Sequence, residues 1–264
     1  MSEYILRTES VGKNYGAIVA LENVNFNVKP GEVVGIVGDN GAGKSTFIKI
    51  LSGAHKASKG YVYMGDELVD FDSPRDAIDR GIETVYQDLS LAPHLDVVGN
   101  IFLGREIEKK GLGGKLFHTL DRKEMTKRTE EVLKRLKIRV KSVKQPVGTL
   151  SGGQRQAVAI GKAIAWGSKV VILDEPTNNL GVEESEKVLS MIRDIAKQGI
   201  SVILISHTLP YVMEVCDRIF VFHLGKSIAV LDRKETNIDE LVSWITGSKT
   251  MEVHLEDEGE EEAK

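Results

Sequence analysis

Hydrophobic and polar positions change period several times along the chain, and each change predicts an element. Val33 to Val37 is a continuous apolar, β-branched run, the pattern of a strand buried on both faces. Phe47, Ile50 and Leu51 then recur at helical spacing, and Gly53 marks the stop. Ahead of them, Tyr4 to Phe26 alternates loosely and predicts short strands ending in the turn Lys29-Pro30-Gly31-Glu32. Gly60 to Val69 predicts a strand pair around Gly65-Asp66. Pro74 to Arg80 predicts a short helix, capped by Ser73 and closed by Gly81. Ile82 to Tyr86 predicts a strand that delivers Gln87 to its end. Lys169 to Glu175 and Ile200 to Ser206 predict two further buried strands. Between them, Glu183 to Lys197 carries Val188, Ile192 and Ile195 on one helical face and stops at Gly199. Ile219–Phe222 and Ser227–Leu231 predict late strands, and Asn237 to Ile245 a closing amphipathic helix started by Asn237 and Glu240.

From Leu89 to Ala165, helix signals and charge interrupt the strand–helix alternation, which predicts a helical subdomain inserted into a sheet domain. Asp121 to Leu136 is its clearest helix, with Asp121 as cap and Met125, Val132, Leu133 and Leu136 as the apolar stripe. Lys109 to Phe117 is rich in glycine and lysine and reads as a loop. Leu150 to Gln156 opens the next helix, and Ser151 to Gln154 fits the S-x-x-Q capping box. No internal repeat is visible.

The chemistry-bearing residues sit where the period changes. Gly38 to Ser45 reads G-x-x-x-x-G-K-S between the Val33 strand and the Phe47 helix. Glycines at those positions let backbone N–H groups curl around phosphate oxygens, and the helix start adds the positive end of its dipole. Lys44 reaches the β- and γ-phosphates in such a loop, and the Ser45 hydroxyl ligates Mg²⁺. The carboxylates Asp174 and Glu175 end a buried strand, where α/β proteins bind ligands: one can hold Mg²⁺ and the next can orient an attacking water. Two readings stay open for His207, a structural histidine or a γ-phosphate partner. For Tyr15 the residues alone give a core aromatic. The glycine pair Gly152-Gly153 leaves N–H groups accessible to a close ligand.

Composition narrows the class. At 264 residues and 41% hydrophobic, the chain can bury a substantial core. A single cysteine, Cys216, excludes an internal disulfide, fits a reducing compartment, and sits in an apolar setting that reads as a buried inert thiol. Met1 to Arg7 lacks the basic and apolar regions of a signal peptide, and no run approaches the roughly 20 apolar residues of a membrane span. A cytoplasmic chain is expected, any membrane part being supplied by a partner. The tail from Glu252 to Lys264 holds seven acids and one lysine, reads as a solvated end, and leaves the rest of the chain near neutrality. That balance offers no nucleic-acid footprint.

Gly38–Thr46, Gln87, the Leu-Ser-Gly-Gly-Gln run Leu150–Gln154, Val170–Glu175 and His207, in this order, resemble the ABC ATPase family over about residues 4 to 247. The resemblance implies a RecA-like P-loop NTPase core of α/β class, with an antiparallel β subdomain and an inserted α-helical subdomain at about 89–165. The ATPase domain would span 1–248 and the acidic tail 249–264. Two such domains would sandwich two ATP molecules head to tail.

Carried over residue by residue, Tyr15 is similar to the adenine-stacking aromatic, with Ala20 a nearby apolar contact. Gly38, Asp39, Asn40, Gly41, Ala42, Gly43, Lys44, Ser45 and Thr46 would wrap the phosphates. Gln87 resembles the residue that senses Mg²⁺ and the γ-phosphate and moves with a transmembrane partner. Ser151, Gly152, Gly153 and Gln154 would close on ATP held by the other protomer. The capping role of Ser151 would compete with that use, leaving the helix under-capped until ATP arrives. Asp174 would join Ser45 and Gln87 around Mg²⁺, with Glu175 as catalytic carboxylate and His207 as switch histidine. Gly181 departs from the family, where many members carry Asp, and so removes one carboxylate from the cross-protomer contacts.

Tyr86-Gln87-Asp88-Leu89-Ser90-Leu91, Asn100–Glu106, Gly181 and Ile205–Pro210 are similar to the ATPases of bacterial ribose-, xylose- and fructose-type sugar importers. The resemblance implies a homodimeric motor, peripheral on the inner face of the cell membrane through permease subunits and served indirectly by a substrate-binding protein. The rival classes are an ABC ATPase outside transport and a non-hydrolysing nucleotide-binding regulator.

Overall fold

The structure, a computed structural model, describes residues 3–109 and 118–249. The predicted loop at 109–117, apart from Lys109, lies outside the described residues, as does the acidic tail beyond Lys249.

Ten strands form two sheets among the described residues. The first is antiparallel, in the order β2(Ile18–Val28)-β1(Leu6–Tyr15)-β4(Lys59–Met64)-β5(Glu67–Val69). The expected short strands near the N-terminus are therefore two long ones, joined at Gly16 in a left-handed turn and paired from Leu6↔Val28 to Tyr15↔Ile18. The second sheet runs β10(Lys226–Asp232)-β9(Arg218–His223)-β3(Val33–Gly38)-β8(Ser201–Ile205)-β7(Val170–Asp174)-β6(Ile82–Val85). All but β10 are parallel to their neighbours.

Eight α-helices are described. They are α1(Lys44–Leu51), α2(Pro74–Asp79), α3(Val97–Phe102), α4(Arg122–Arg135), α5(Gly152–Ile164), α6(Val182–Ala196), α7(Leu209–Val215) and α8(Ile238–Ile245). Capping follows the sequence closely. Asp121 accepts from the Glu124 N–H at 3.0 Å, and Asn237 accepts from the Glu240 N–H at 2.9 Å. Strand ends fall slightly inside the expected limits, so Tyr86, Glu175 and Ser206 stand just beyond their strands.

Alternation along the parallel strands explains their unbroken apolar runs. Val34, Ile36, Ile172, Ile203 and Ile205 face the cluster built with α1 and the antiparallel sheet. Val33, Val37, Val171, Leu173, Val202 and Leu204 face the opposite cluster, built with α5, α6, α7 and α8. Both faces are covered, so the central strands β3, β7 and β8 carry buried apolar side chains on both sides. A third cluster joins α3, α4 and the Val158 side of α5 around Ile101, Phe102 and Leu133.

Gly35 shows how tight the second layer is. A Cβ there would lie 2.9 Å from Val212 Cγ1 and 3.0 Å from Cys216 Sγ, so its hydrogen lets α7 close on β3. Cys216 is buried, and burial raises its thiol pKa far above the ordinary range, as the inert reading requires. Gly35→Ala should cost about 1–3 kcal/mol of stability by overpacking, read from the urea midpoint. Combined with Cys216→Ala, which frees that space, it should cost less than the sum of the two single changes.

Candidate functional site

The register of the parallel sheet sets the geometry. Ile36 lies opposite Ile205, Ile205 opposite Asp174, and Leu173 opposite Val85. Four neighbouring strands thus end on one edge. Their next residues are the P-loop, His207, the Asp174-Glu175 pair and Gln87, brought together from positions far apart in the chain.

Gly43 caps α1 at φ 100°. A Cβ there would sit 2.6 Å from Leu21 Cδ2 and 3.0 Å from the Ala20 carbonyl oxygen, so both the conformation and the close approach need glycine. The Ala20 backbone is thereby held against the loop. Behind the loop stands the β9–β10 turn: Gly225 N–H donates to the Ala42 carbonyl at 3.0 Å, and Glu22 N–H to the Gly225 carbonyl at 2.8 Å. The sequence reading missed this brace, whose only sign is a glycine two residues past a strand.

No side chain caps α1 and no acid occupies its first turn, so its leading N–H groups and dipole are left for an anion. Lys44 Nζ donates to the Gly38 carbonyl at 2.7 Å and the Asp39 carbonyl at 2.9 Å, which holds the loop in its curled form. Burial lowers the Lys44 pKa, against the pull of Glu175, Asp39 and Asp174. Lys44, Ser45 and Thr46 open the helix, and Asp174 is near enough to feel the Lys44 charge; the hydroxyl and carboxylate oxygens of Ser45 and Asp174 are the donor type that suits a hard divalent cation such as Mg²⁺.

Asp174 is half-buried, and burial first, then the neighbouring Glu175, raises its pKa. Glu175 stands outside the strand at φ 51°, an uncommon conformation for a side-chain-bearing residue. Its N–H donates to the Ile205 carbonyl at 2.9 Å, and its own carbonyl accepts from Asn178 N–H at 3.1 Å. The carboxylate is only 14% exposed and is gripped by one residue: His207 Nδ1 lies 2.9 Å from Oε1, and His207 N–H donates to the same oxygen at 3.1 Å. The two were expected to act at the same site; their direct contact was not foreseen. Adjacent parallel strands ending in acid and histidine were its only trace in the sequence.

Gln87 is exposed two residues past β6, and Tyr86 before it donates its hydroxyl to Ser52 Oγ at the end of α1 at 3.0 Å. Upstream on β6, Glu83 pairs with Arg105 at 2.6 Å, and that guanidinium lies 5.3 Å from the Trp166 ring centroid. Tyr15 is 42% exposed, with Lys13 Nζ 5.2 Å from its ring centroid and His55 edge-on at 5.8 Å. It is a surface aromatic, which removes the core reading.

Ser151 to Gln154 lie elsewhere. Helix α5 packs on α3, α4, α6 and β6, and the Leu150–Gln154 turn that opens it, the signature turn, touches the segment after Glu175: a Cβ on Gly152 would meet Leu180 Cδ2 at 3.0 Å. The capping box is closed. Ser151 Oγ accepts from Gln154 N–H at 3.3 Å, and Gln154 Oε1 accepts from Ser151 N–H at 3.1 Å. The expected under-capping is therefore corrected: capping uses the hydroxyl's acceptor side and leaves its proton free for a phosphate. At Gly181 a Cβ would meet nothing within 4 Å, so no steric clash excludes Asp there.

A family model described as ABC transporter matches residues 21–178. The chain belongs to the ABC transporter family. It is 46% identical to the fructose import ATP-binding protein of Rhizobium meliloti, over 94% of this chain and 95% of that one. It is 42% identical to the xylose/arabinose import ATP-binding protein of Sulfolobus acidocaldarius, over 95% and 97% of the two chains. A dimeric ATP-binding cassette solved in a post-hydrolysis state with ADP and Pi superposes with a TM-score of 0.72 at 27% identity, covering 86% of this chain and 98% of that one. The fold is that of the ABC cassettes, and the protein is an ATP-binding ABC ATPase.

The strain on Asp174 is testable without nucleotide. Its folded pKa is raised, so the ionised form is penalised on folding. The penalty is absent below the unfolded pKa and fully present above the folded one. Asp174→Asn should therefore raise Tm by about 2 °C at pH 7.5 in nucleotide- and Mg²⁺-free buffer, the gain shrinking as pH falls into the carboxylate range.

Proposed function

We propose that this chain is the ATP-hydrolysing motor of an importer for a monosaccharide, working as a head-to-tail pair of copies that close on two ATP molecules. The observation that carries the reading is the Glu175 carboxylate, held by His207 on the strand edge that also bears the P-loop and Asp174. The alignment to fructose and xylose/arabinose import proteins along nearly their whole length supports the transport assignment.

In this reading Tyr15 and Ala20 receive the adenine. Gly38–Thr46 wrap the phosphates, with Lys44 leaving its two carbonyls for the β- and γ-oxygens. Ser45, Asp174 and Gln87 would hold Mg²⁺, which supplies charge neutralisation on the phosphates. Glu175 accepts a proton from, or orients, the attacking water, and His207 keeps that carboxylate aimed. Most of the barrier lowering is positioning and electrostatics. Ser151, Gly152, Gly153 and Gln154 complete the site from the second copy. The separation of that turn from the P-loop edge within one chain fits this division of labour, as does the dimeric relative.

No helix among the described residues is long and apolar enough to cross a membrane. In this reading the path for the sugar belongs to permease subunits. They would dock on the inserted helical subdomain, about 89–165, and the Gln87 loop. The chain would thus lie on the cytoplasmic face of the membrane, with a substrate-binding protein delivering the sugar to the other side.

ATP hydrolysis measured against protein concentration tests the composite site. Specific activity should rise with concentration, and Glu175→Gln should keep ATP binding while turnover drops at least about 100-fold. Unchanged turnover in Glu175→Gln would remove the carboxylate from its role.

A further inference from the structure

Glu184 carries a charge that the proposed cycle does not use. It occupies the first turn of α6, whose N-cap is Gly181. It also lies across the first turn of α5. A Cβ on Gly153 would fall 3.0–3.2 Å from Glu184 Cβ, Cγ and Cδ, and one on Gly152 would fall 3.8 Å from its Oε2. One carboxylate therefore faces the positive ends of two converging helices. It is only partly exposed, on a cleft of ≈ 540 Å³ that Ser151, Gly153 and Gln154 also line. Two of the three cations along that cleft are engaged elsewhere, Lys187 with Glu183 at 2.7 Å and Lys137 with Asp194 at 2.8 Å, and the third, Arg139, makes no ion pair among the described residues. Among the described residues Glu184 itself makes no ion pair.

We propose that Glu184 is a built-in counter-charge for the signature turn, and that it sets how readily two copies close on ATP. This rests on the head-to-tail reading above. In the separated chain the carboxylate satisfies the two helix dipoles. When the partner's γ-phosphate arrives at the Ser151–Gly153 turn, a second negative charge enters the same field. The repulsion weakens the closed pair and speeds its opening after hydrolysis. Glu184 is in this sense a positioning residue that tunes closure without touching the reacting atoms.

Charge removal should thus act in opposite directions on the two states. Glu184→Gln keeps the packing against Gly153 and removes the charge. Without nucleotide it should lower Tm by about 1–2 °C, through loss of the dipole contacts. In a Glu175→Gln background with Mg-ATP it should tighten the dimer, lowering its dissociation constant about three- to tenfold in sedimentation or sizing. The gain should shrink as NaCl is raised from about 50 to 300 mM, because a repulsion between charges is screened. A merely structural role would weaken both states together and show no salt dependence. An unchanged or weaker ATP dimer in the double variant overturns the proposal. Failure of Glu175→Gln alone to form any ATP-dependent dimer would overturn the two-copy reading, and this inference with it.

Discussion

Everything at the candidate site depends on the hydrogen-bonded register of β3, β8 and β7. A parallel ladder keeps its strands pointing the same way, so Ile36, Ile205 and Asp174 must lie in one row. The residues that follow them have nowhere to go but the same edge. Register in turn is held by burial on both faces, since a slip by one residue would exchange the two sets of apolar side chains between unlike clusters. The chemistry of the edge is therefore secured by packing far beneath it, and by tight contacts such as Gly35 against Val212 and Cys216.

The edge is costly where it is most useful. Glu175 departs from ordinary backbone geometry, Asp174 keeps a charge in a half-buried place, and Lys44 is partly desolvated between carbonyls. Glu175 is held by its bond to Ile205 of the neighbouring strand, and Lys44 by the Gly38 and Asp39 carbonyls of its own loop. Together they form a pocket of unmet electrostatic demand that a charged ligand can relieve.

Most of this was legible in the sequence wherever a residue's role follows from its local context. The P-loop between strand and helix, the acids at a strand end, and the caps at Asp121, Ser151 and Asn237 all obey short-range rules, and the structure follows them. Illegible were contacts between segments remote in sequence. The grip of His207 on Glu175 spans 32 residues, and the Gly225 brace behind Ala42 comes from the far end of the chain. Alternation could not separate two long hairpin strands from several short ones near the N-terminus, because register shifts along β1 blur the period of two. The Ser151 cap was misjudged for a chemical reason: a hydroxyl can accept and donate at once.

Gly181 carries a last consequence. Empty space surrounds it at the start of α6, in the segment that packs on the signature turn. Nothing in the core would have to shift for a larger residue to appear there. The fold thus keeps its dials apart from its frame. A single base change can place a carboxylate at the start of α6 while the packing beneath stays as it is.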